Sequence, residues 1–485
     1  MALTENLIRR KRSTSVNPGV NLAPRPCLSY PSRMSKQIRL NAFDMNCIGH
    51  QSPGLWTHPL DRADTYNTLE YWTDLAKTLE RGLFDAIFLA DVLGIYDVYK
   101  GGPETALEQA VQVPVNDPLM VIPAMATVTQ NLGFGVTCAL SYEHPYPFAR
   151  RMSTLDHLTR GRIGWNIVTG YLESAARGFG QSEQVGHDDR YAVAEDYMQA
   201  VYKLWEASWE DGAVLRDKQG RRFADASKIH SVNHQGPHFQ VDAIHLCEPS
   251  PQRTPVLYQA GASTRGRQFA ADHAECVFIN GPSQKVVRDI AKDVRARAVA
   301  SGRAAHDVAI FTLMTVITGP THEAAQAKYD EYASYVSEEG GLTLMSGWTG
   351  VDFSQLPPDE PLKFSERNAM VSALESFTTA DPGRAWTPRQ IARHAAIGGR
   401  GPVAVGSYAE VADTFQQWME EADVDGFNLA YAVTPGTFED IVDGVIPELQ
   451  KRGVYKTEYD PGTLRAKLTG RDRLPASHPA ALVRR

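Results

Sequence analysis

Ser263, Arg265 and Arg267 open a helical pattern directly after the apolar run Val256–Ala260 and a turn at Gly261. A serine there caps the helix, and the free N–H groups and partial positive charge of a helix start suit a phosphate. An ordinary capped helix without a ligand is the competing reading. His187 and Tyr191 lie one turn apart at another helix start. They could converge on the same phosphate, or Asp188 or Asp189 could simply cap that helix. Other chemistry-bearing residues also follow apolar runs: Asp44, Asn46, Cys47 and His50; Asp91 and Tyr96; Thr137 and Cys138; Asn166, Thr169 and Tyr171; and Gln259. Cys47 with His50 three residues on could be a nucleophile and its partner, and a buried inert cysteine is an equal alternative. His230, His234, His238 and His245 lack Cys or acid partners at fixed spacing, so no metal site is expected.

The elements that must position these residues alternate. Strand patterns at Ile38–Phe43, Phe84–Ala90, Phe134–Leu140, Ile163–Thr169, Val256–Ala260, Cys276–Ile279, Val308–Thr318 and Phe427–Val433 are mostly each followed by a helical one. That is the pattern of an α/β chain folded as a (β/α)8 TIM barrel, with a large insertion at about 319–400 after the seventh strand; a doubly wound sheet is the alternative. In such a barrel the strand C-termini face the active site, which is where the candidates fall. Residues 214–252 read as a β-rich excursion, and the tail after Gly453 as an extended segment wrapping a neighbour or the barrel's outside. No Walker A motif is present. Gly399–Ala404 matches GxGxxA but precedes a strand instead of following one, so a dinucleotide site is poorly supported and a mononucleotide such as FMN fits better.

The net charge of the 485 residues is −8, yet residues 1–36 carry seven Lys/Arg against one acid, Glu5. The body is therefore acidic, which argues against nucleic acid and anionic membrane as partners. The basic leader 1–33 reads as disordered and of no catalytic use, with Met34 as the start of the ordered domain 34–485; a transit peptide is the alternative. Five scattered cysteines without CxxC spacing fit a reduced, cytoplasmic protein.

Several stretches carry a family resemblance: Asn41–His50, Leu55–Pro59, Glu80–Asp85, Phe88–Tyr99, Pro114–Pro118, Ser153–Thr159, Gly161–Asn166, Glu248–Pro255 and Asp425–Asn428. From about Met34 onward the chain resembles the bacterial-luciferase-like flavin monooxygenases, in the branch with nitrilotriacetate, EDTA, dibenzothiophene-sulfone, dimethyl-sulfide and long-chain alkane monooxygenases. The resemblance implies a barrel taking FMN as FMNH2 from a separate NAD(P)H-dependent flavin reductase, and O2 forming a flavin C4a-(hydro)peroxide that gives one oxygen atom to substrate. It implies FMN contacts at Asp91, Thr137, His187, Tyr191 and Ser263, with catalytic positions at Cys47, His50, Tyr96 and Gln112. Tyr171 and Leu344 stand where the alkane enzyme has histidine, and Gly347–Gly350 matches the dimethyl-sulfide branch, so a small apolar or organosulfur substrate is expected first. Terminal alkane hydroxylation and a flavin-degrading lyase on the same fold are the alternatives. A homodimer or homotetramer is expected.

Overall fold

Eight apolar runs form parallel strands: β1 (Arg39–Met45), β2 (Ala86–Ala90), β3 (Gly133–Ala139), β4 (Ile163–Val168), β5 (Val256–Ala260), β6 (Cys276–Ile279), β7 (Ala309–Gly319) and β8 (Gly426–Ala430). Each pairs with the next, and β8 pairs with β1, so the sheet closes into a barrel. The computed structural model describes residues 36–261, 263–281, 283–362 and 386–485. The leader 1–33 and the 363–385 part of the insertion lie outside the described residues.

Side-chain alternation along the strands builds two layers. In β1, Leu40 and Ala42 face outward into the main core with α1 (Leu69–Arg81), whose buried face is Tyr71, Trp72, Leu75, Ala76 and Leu79. Phe43 faces inward and packs with Phe88, Tyr258, Phe278 and Phe311 to fill the barrel. Asn41 donates to Asn428 inside the barrel at 2.8 Å, satisfying one buried amide with another. Further helices are α2 (Pro145–Leu158), α3 (His187–Tyr202), α4 (Thr264–His273) and α5 (Gln284–Ala300). The insertion contributes α6 (Glu338–Thr349) and α7 (Pro388–Ala395), and α8 (Tyr408–Glu421) precedes the last strand.

Strand order, the place of the insertion and the β-rich excursion match the sequence reading; two details differ, the ninth strand and the tail. Val403–Ser407 forms a ninth strand, pairing with Thr315–Gly319 at the far end of the long β7. Its Val-Ala-Val run is too short, and too close to Gly401 and Pro402, to read as a strand by pattern. The excursion makes two hairpins, Val214–Asp217 with Arg222–Ala224 and Val232–Gln235 with Gln240–Ala243. The second is held by His234, which sits 2.9 Å from Asp196 and 3.0 Å from Lys203. The tail does not simply run extended over a surface. Its helical turn Leu464–Thr469 plugs the floor of the barrel, where Leu464 and Leu468 join Phe43, Phe88 and Tyr258. Arg465, 0% exposed, hydrogen-bonds both carboxylate oxygens of Glu275 at 2.7 and 2.9 Å.

Candidate active site

The C-terminal strand ends open onto two adjoining cavities that share Asp91, Val92, Val168, Tyr171, Ala260 and Gly261. The first, of about 180 Å³, extends to His187, Arg190, Tyr191, Gln259 and Ser263. The second, of about 170 Å³, extends to His50, Tyr96, Gln112, Thr137, Trp348 and Arg400. A larger cavity of about 610 Å³ lies at the other end, between the strand starts and the tail. Its charges are largely matched in ion pairs such as Lys456–Asp85 and Arg471–Asp307, both at 2.6 Å, and none of the candidate residues reaches it.

The first cavity is a cradle. Ser263 is the N-cap of α4, its hydroxyl accepting from Gly266 N at 3.1 Å, and His187 Nε2 lies 3.2 Å from the same oxygen. His187 and Tyr191 are one turn apart on α3, ring centroids 5.3 Å apart, and the Arg265 guanidinium sits 5.6 Å above the Tyr191 ring. Close approach favours glycine here: a Cβ at Gly261 would fall 2.5 Å from Gln259 Nε2, and one at Gly266 would fall 2.7 Å from Tyr191 Oη, so the neighbours would have to shift. Gln259 Oε1 and, in the adjoining cavity, Asn166 Oδ1 are buried without a hydrogen-bond partner. Orphaned acceptors at a cavity call for donors from a bound molecule. A helix N-terminus with hydroxyl, imidazole and phenol around it, leading to unpaired amide acceptors, fits the phosphate and the N–H-bearing ring of a flavin mononucleotide.

The second cavity holds a hydrogen-bonded chain. Tyr96 Oη lies 2.6 Å from Tyr171 Oη and donates to Gln112 Oε1 at 2.9 Å, and Gln112 donates to the His50 carbonyl at 2.7 Å. Burial pushes Tyr171 up to about 12, so the phenol stays protonated at neutral pH. Burial pushes His50 down to about 3, leaving the imidazole neutral; its side-chain contact is Gln51 Nε2 at 3.2 Å. Asn166 donates to Thr137 at 2.9 Å on the adjacent strand pair. Where the cavities meet, burial pushes Asp91 up to about 7, with the charge of Asp117 adding to the rise.

Nine of the ten predicted positions therefore line these two cavities: Asp91 and Tyr171 both, His187, Tyr191 and Ser263 the first, and His50, Tyr96, Gln112 and Thr137 the second. Cys47 lines neither. It is buried in a bridge to Val115, and burial pushes its thiol well above the ordinary range, which disfavours a thiolate. Sequence reasoning passed over Gln51, Arg190, Asn280, Trp348 and Arg400. For Arg400 a signal was present in the Gly-Arg-Gly at 399–401: Gly398 and Gly399 take φ of 80° and 65°, a turn that delivers the arginine to the cavity.

A closed parallel barrel with its cavities at the strand C-termini and a phosphate-ready helix start defines a small-molecule enzyme of the cofactor-using kind. The chain matches the luciferase-like monooxygenase model over residues 43–426 and belongs to that family of flavin-dependent, oxygen-incorporating enzymes. It is 54% identical to the dimethyl-sulfide monooxygenase of Hyphomicrobium sulfonivorans, over 93% of this chain and 94% of that one. It is 48% identical to the long-chain alkane monooxygenase of Geobacillus thermodenitrificans, over 93% and 99%. The crystal structure of a riboflavin lyase with modified FMN and riboflavin superposes with a TM-score of 0.87 at 38% identity, covering 93% of this chain and all of that one. Among the described residues no helix is long and apolar enough to cross a membrane.

Proposed function

We propose that this chain is the oxygenase of a two-component system, inserting one atom of O2 into a small apolar or organosulfur substrate, with dimethyl sulfide the first candidate. FMN is its cofactor, arriving as FMNH2 from a separate NAD(P)H-dependent reductase, and in that form it supplies the electrons that activate O2. The observation that carries this reading is the continuity of a phosphate-ready cradle with an aromatic-lined chamber at one barrel mouth. In the cradle, Ser263, Tyr191, His187 and the α4 start would hold the phosphate, while Asp91 at the junction and Thr137 in the second cavity would contact the ring. In the chamber, Tyr96, Tyr171, Gln112 and neutral His50 orient the substrate and hold protons at defined oxygens, with Phe43, Phe88, Phe278 and Trp348 excluding water. Cys47 takes a supporting role behind the wall. The enzyme is cytoplasmic and pairs as a homodimer or homotetramer.

A long-chain alkane is the second substrate reading, favoured by the 48% identical relative. Against it, two positions occupied by histidine in the alkane enzyme are here Tyr171, bonded to Tyr96, and Leu344, fully buried beside Trp348. A flavin-degrading lyase is the third, favoured by the superposition on riboflavin lyase. Peroxide accounting separates them: protein, FMN, NADH, a flavin reductase and O2, with and without dimethyl sulfide or a long alkane. The expected result is that dimethyl sulfide lowers free H2O2 and an oxygenated product forms. Loss of flavin with no added substrate would favour the lyase, and suppression of H2O2 by the alkane alone would favour the hydroxylase.

A further inference from the structure

Arg400 brings a full positive charge into the second cavity, with no carboxylate among the described residues paired to it. Its guanidinium lies 5.0 Å over the Trp348 ring, and the charged or titratable groups that influence it are the phenols of Tyr171 and Tyr96. Among the described residues no carboxylate is paired with it, and its Nε is buried with no hydrogen-bond partner. With the Asn280 amide turned to donate to the Ile279 carbonyl, its oxygen accepts from Arg400 at 3.2 Å, a neutral contact. Asp91 is the one carboxylate among the described residues lining the same cavity; burial and Asp117 raise its pKa, and Arg400 does not offset them. An arginine cannot shed its proton, and an enclosed charge is retained where something of opposite charge comes to meet it. Delivery of this residue is also built in: the positive-φ pair Gly398 and Gly399 turns the chain at the end of the insertion, and a Cβ at Gly399 would fall 2.0 Å from Gln51 Oε1.

We propose that Arg400, on its Trp348 platform and beside Tyr171, is a specificity-determining residue that binds an anionic oxygen group, a carboxylate, on the substrate. This rests on the reading of the cavity as the reaction chamber and narrows its substrate class to small organosulfur acids: thioethers that carry a carboxylate a few atoms from sulfur. Guanidinium meets carboxylate in a two-point geometry that fixes direction as well as position, so the sulfur end is aimed toward the junction with the first cavity. Dimethyl sulfide, lacking the charged end, then enters as a weaker, unanchored substrate.

The test is binding, so it does not depend on turnover. (Methylthio)acetate, acetate and dimethyl sulfide are titrated into the oxidised-FMN-loaded protein, with flavin fluorescence and calorimetry as readouts, for the parent and for Arg400→Gln and Arg400→Lys. The expected result is that (methylthio)acetate binds the parent well above dimethyl sulfide and competes with acetate. Arg400→Gln should lose roughly ten- to hundredfold of that affinity, the range for a charge-assisted hydrogen bond, and Arg400→Lys should recover part of it. Dimethyl sulfide binding should change little in either variant. Equal affinity for charged and neutral thioethers in the parent overturns the proposal without recourse to any variant. So does a result in which Arg400→Gln leaves thioether binding alone and weakens only FMNH2 relative to oxidised FMN, because the charge then serves the cofactor. Failure of the peroxide experiment with normal anion binding would sink the monooxygenase reading, and with it the substrate role assigned to Arg400, while showing that the residue does bind a carboxylate; loss of anion binding with a working peroxide experiment sinks this proposal alone.

Discussion

Asp91 stands where the two cavities join, and its surroundings make it a reporter. Burial moves it from an ordinary 3.8 up to about 7 in the folded chain. Between those values the folded protein holds the extra proton. Its contribution to stability is therefore full below pH 3.8, falls as pH rises, and is lost above about 7. Asp91→Asn should accordingly match the parent near the acid end and melt at a higher temperature than the parent at pH 8; a difference that does not grow with pH would mean the carboxylate is better solvated than its burial implies. Ser263 is tested by ligand affinity. Ser263→Ala removes both a cap and a charge-assisted bond to phosphate, which should weaken FMN by on the order of 1.5–3 kcal/mol in a fluorescence titration. Unchanged affinity would remove this helix start from the cofactor site.

At the scale of elements, α6 is the insertion's contribution to the chamber wall. Gly347 lies against the Tyr96 ring so closely that a Cβ there would fall 1.8 Å from Cδ1. Gly347→Ala must push the ring aside, at a cost of about 1–3 kcal/mol for an overpacked contact, and with it the Tyr96–Tyr171–Gln112 chain. The expected phenotype is a folded protein that binds FMN normally and releases most of its reducing equivalents as H2O2; coupled product formation at the parent level would show that the chain tolerates displacement. The elements also explain what the sequence made legible. The eight strands announce themselves as apolar runs because both barrel faces bury side chains, and strand ends then nominate Asp91, Thr137, Tyr171 and Ser263 by position alone. Trp348 and Arg400 were not nominated by strand ends, since they arrive from an insertion whose path no periodicity encodes. Tyr96 was nominated by its place after the second strand, whereas Gln112 came through family likeness, because the loop carrying it follows no repeating pattern. Cys47 shows the opposite limit: type and spacing near His50 resembled a nucleophile, but which side of the wall a thiol occupies is decided only by packing.

For the whole molecule, the floor of the barrel is decisive. Arg465→Ala would leave Glu275 buried without its partner and should cost about 3–5 kcal/mol in denaturant unfolding, whereas the paired change Arg465→Met with Glu275→Leu removes the stranded charge and should cost less, the remainder being the Gln252, Thr254 and Pro255 carbonyls and the Leu257 N–H left unpaired. If the double variant is as unstable as the single one, the ion pair is not what holds the plug. The same plug orders events in time. Every wall strand precedes Leu464 in the chain, so a polypeptide emerging from a ribosome can have made all eight strands while the inner faces of Phe43, Phe88 and Tyr258 still stand open to water from below. Until the tail is made, that inner ring is exposed apolar surface of the kind that favours aggregation, and docking of Leu464 and Leu468 is what covers it.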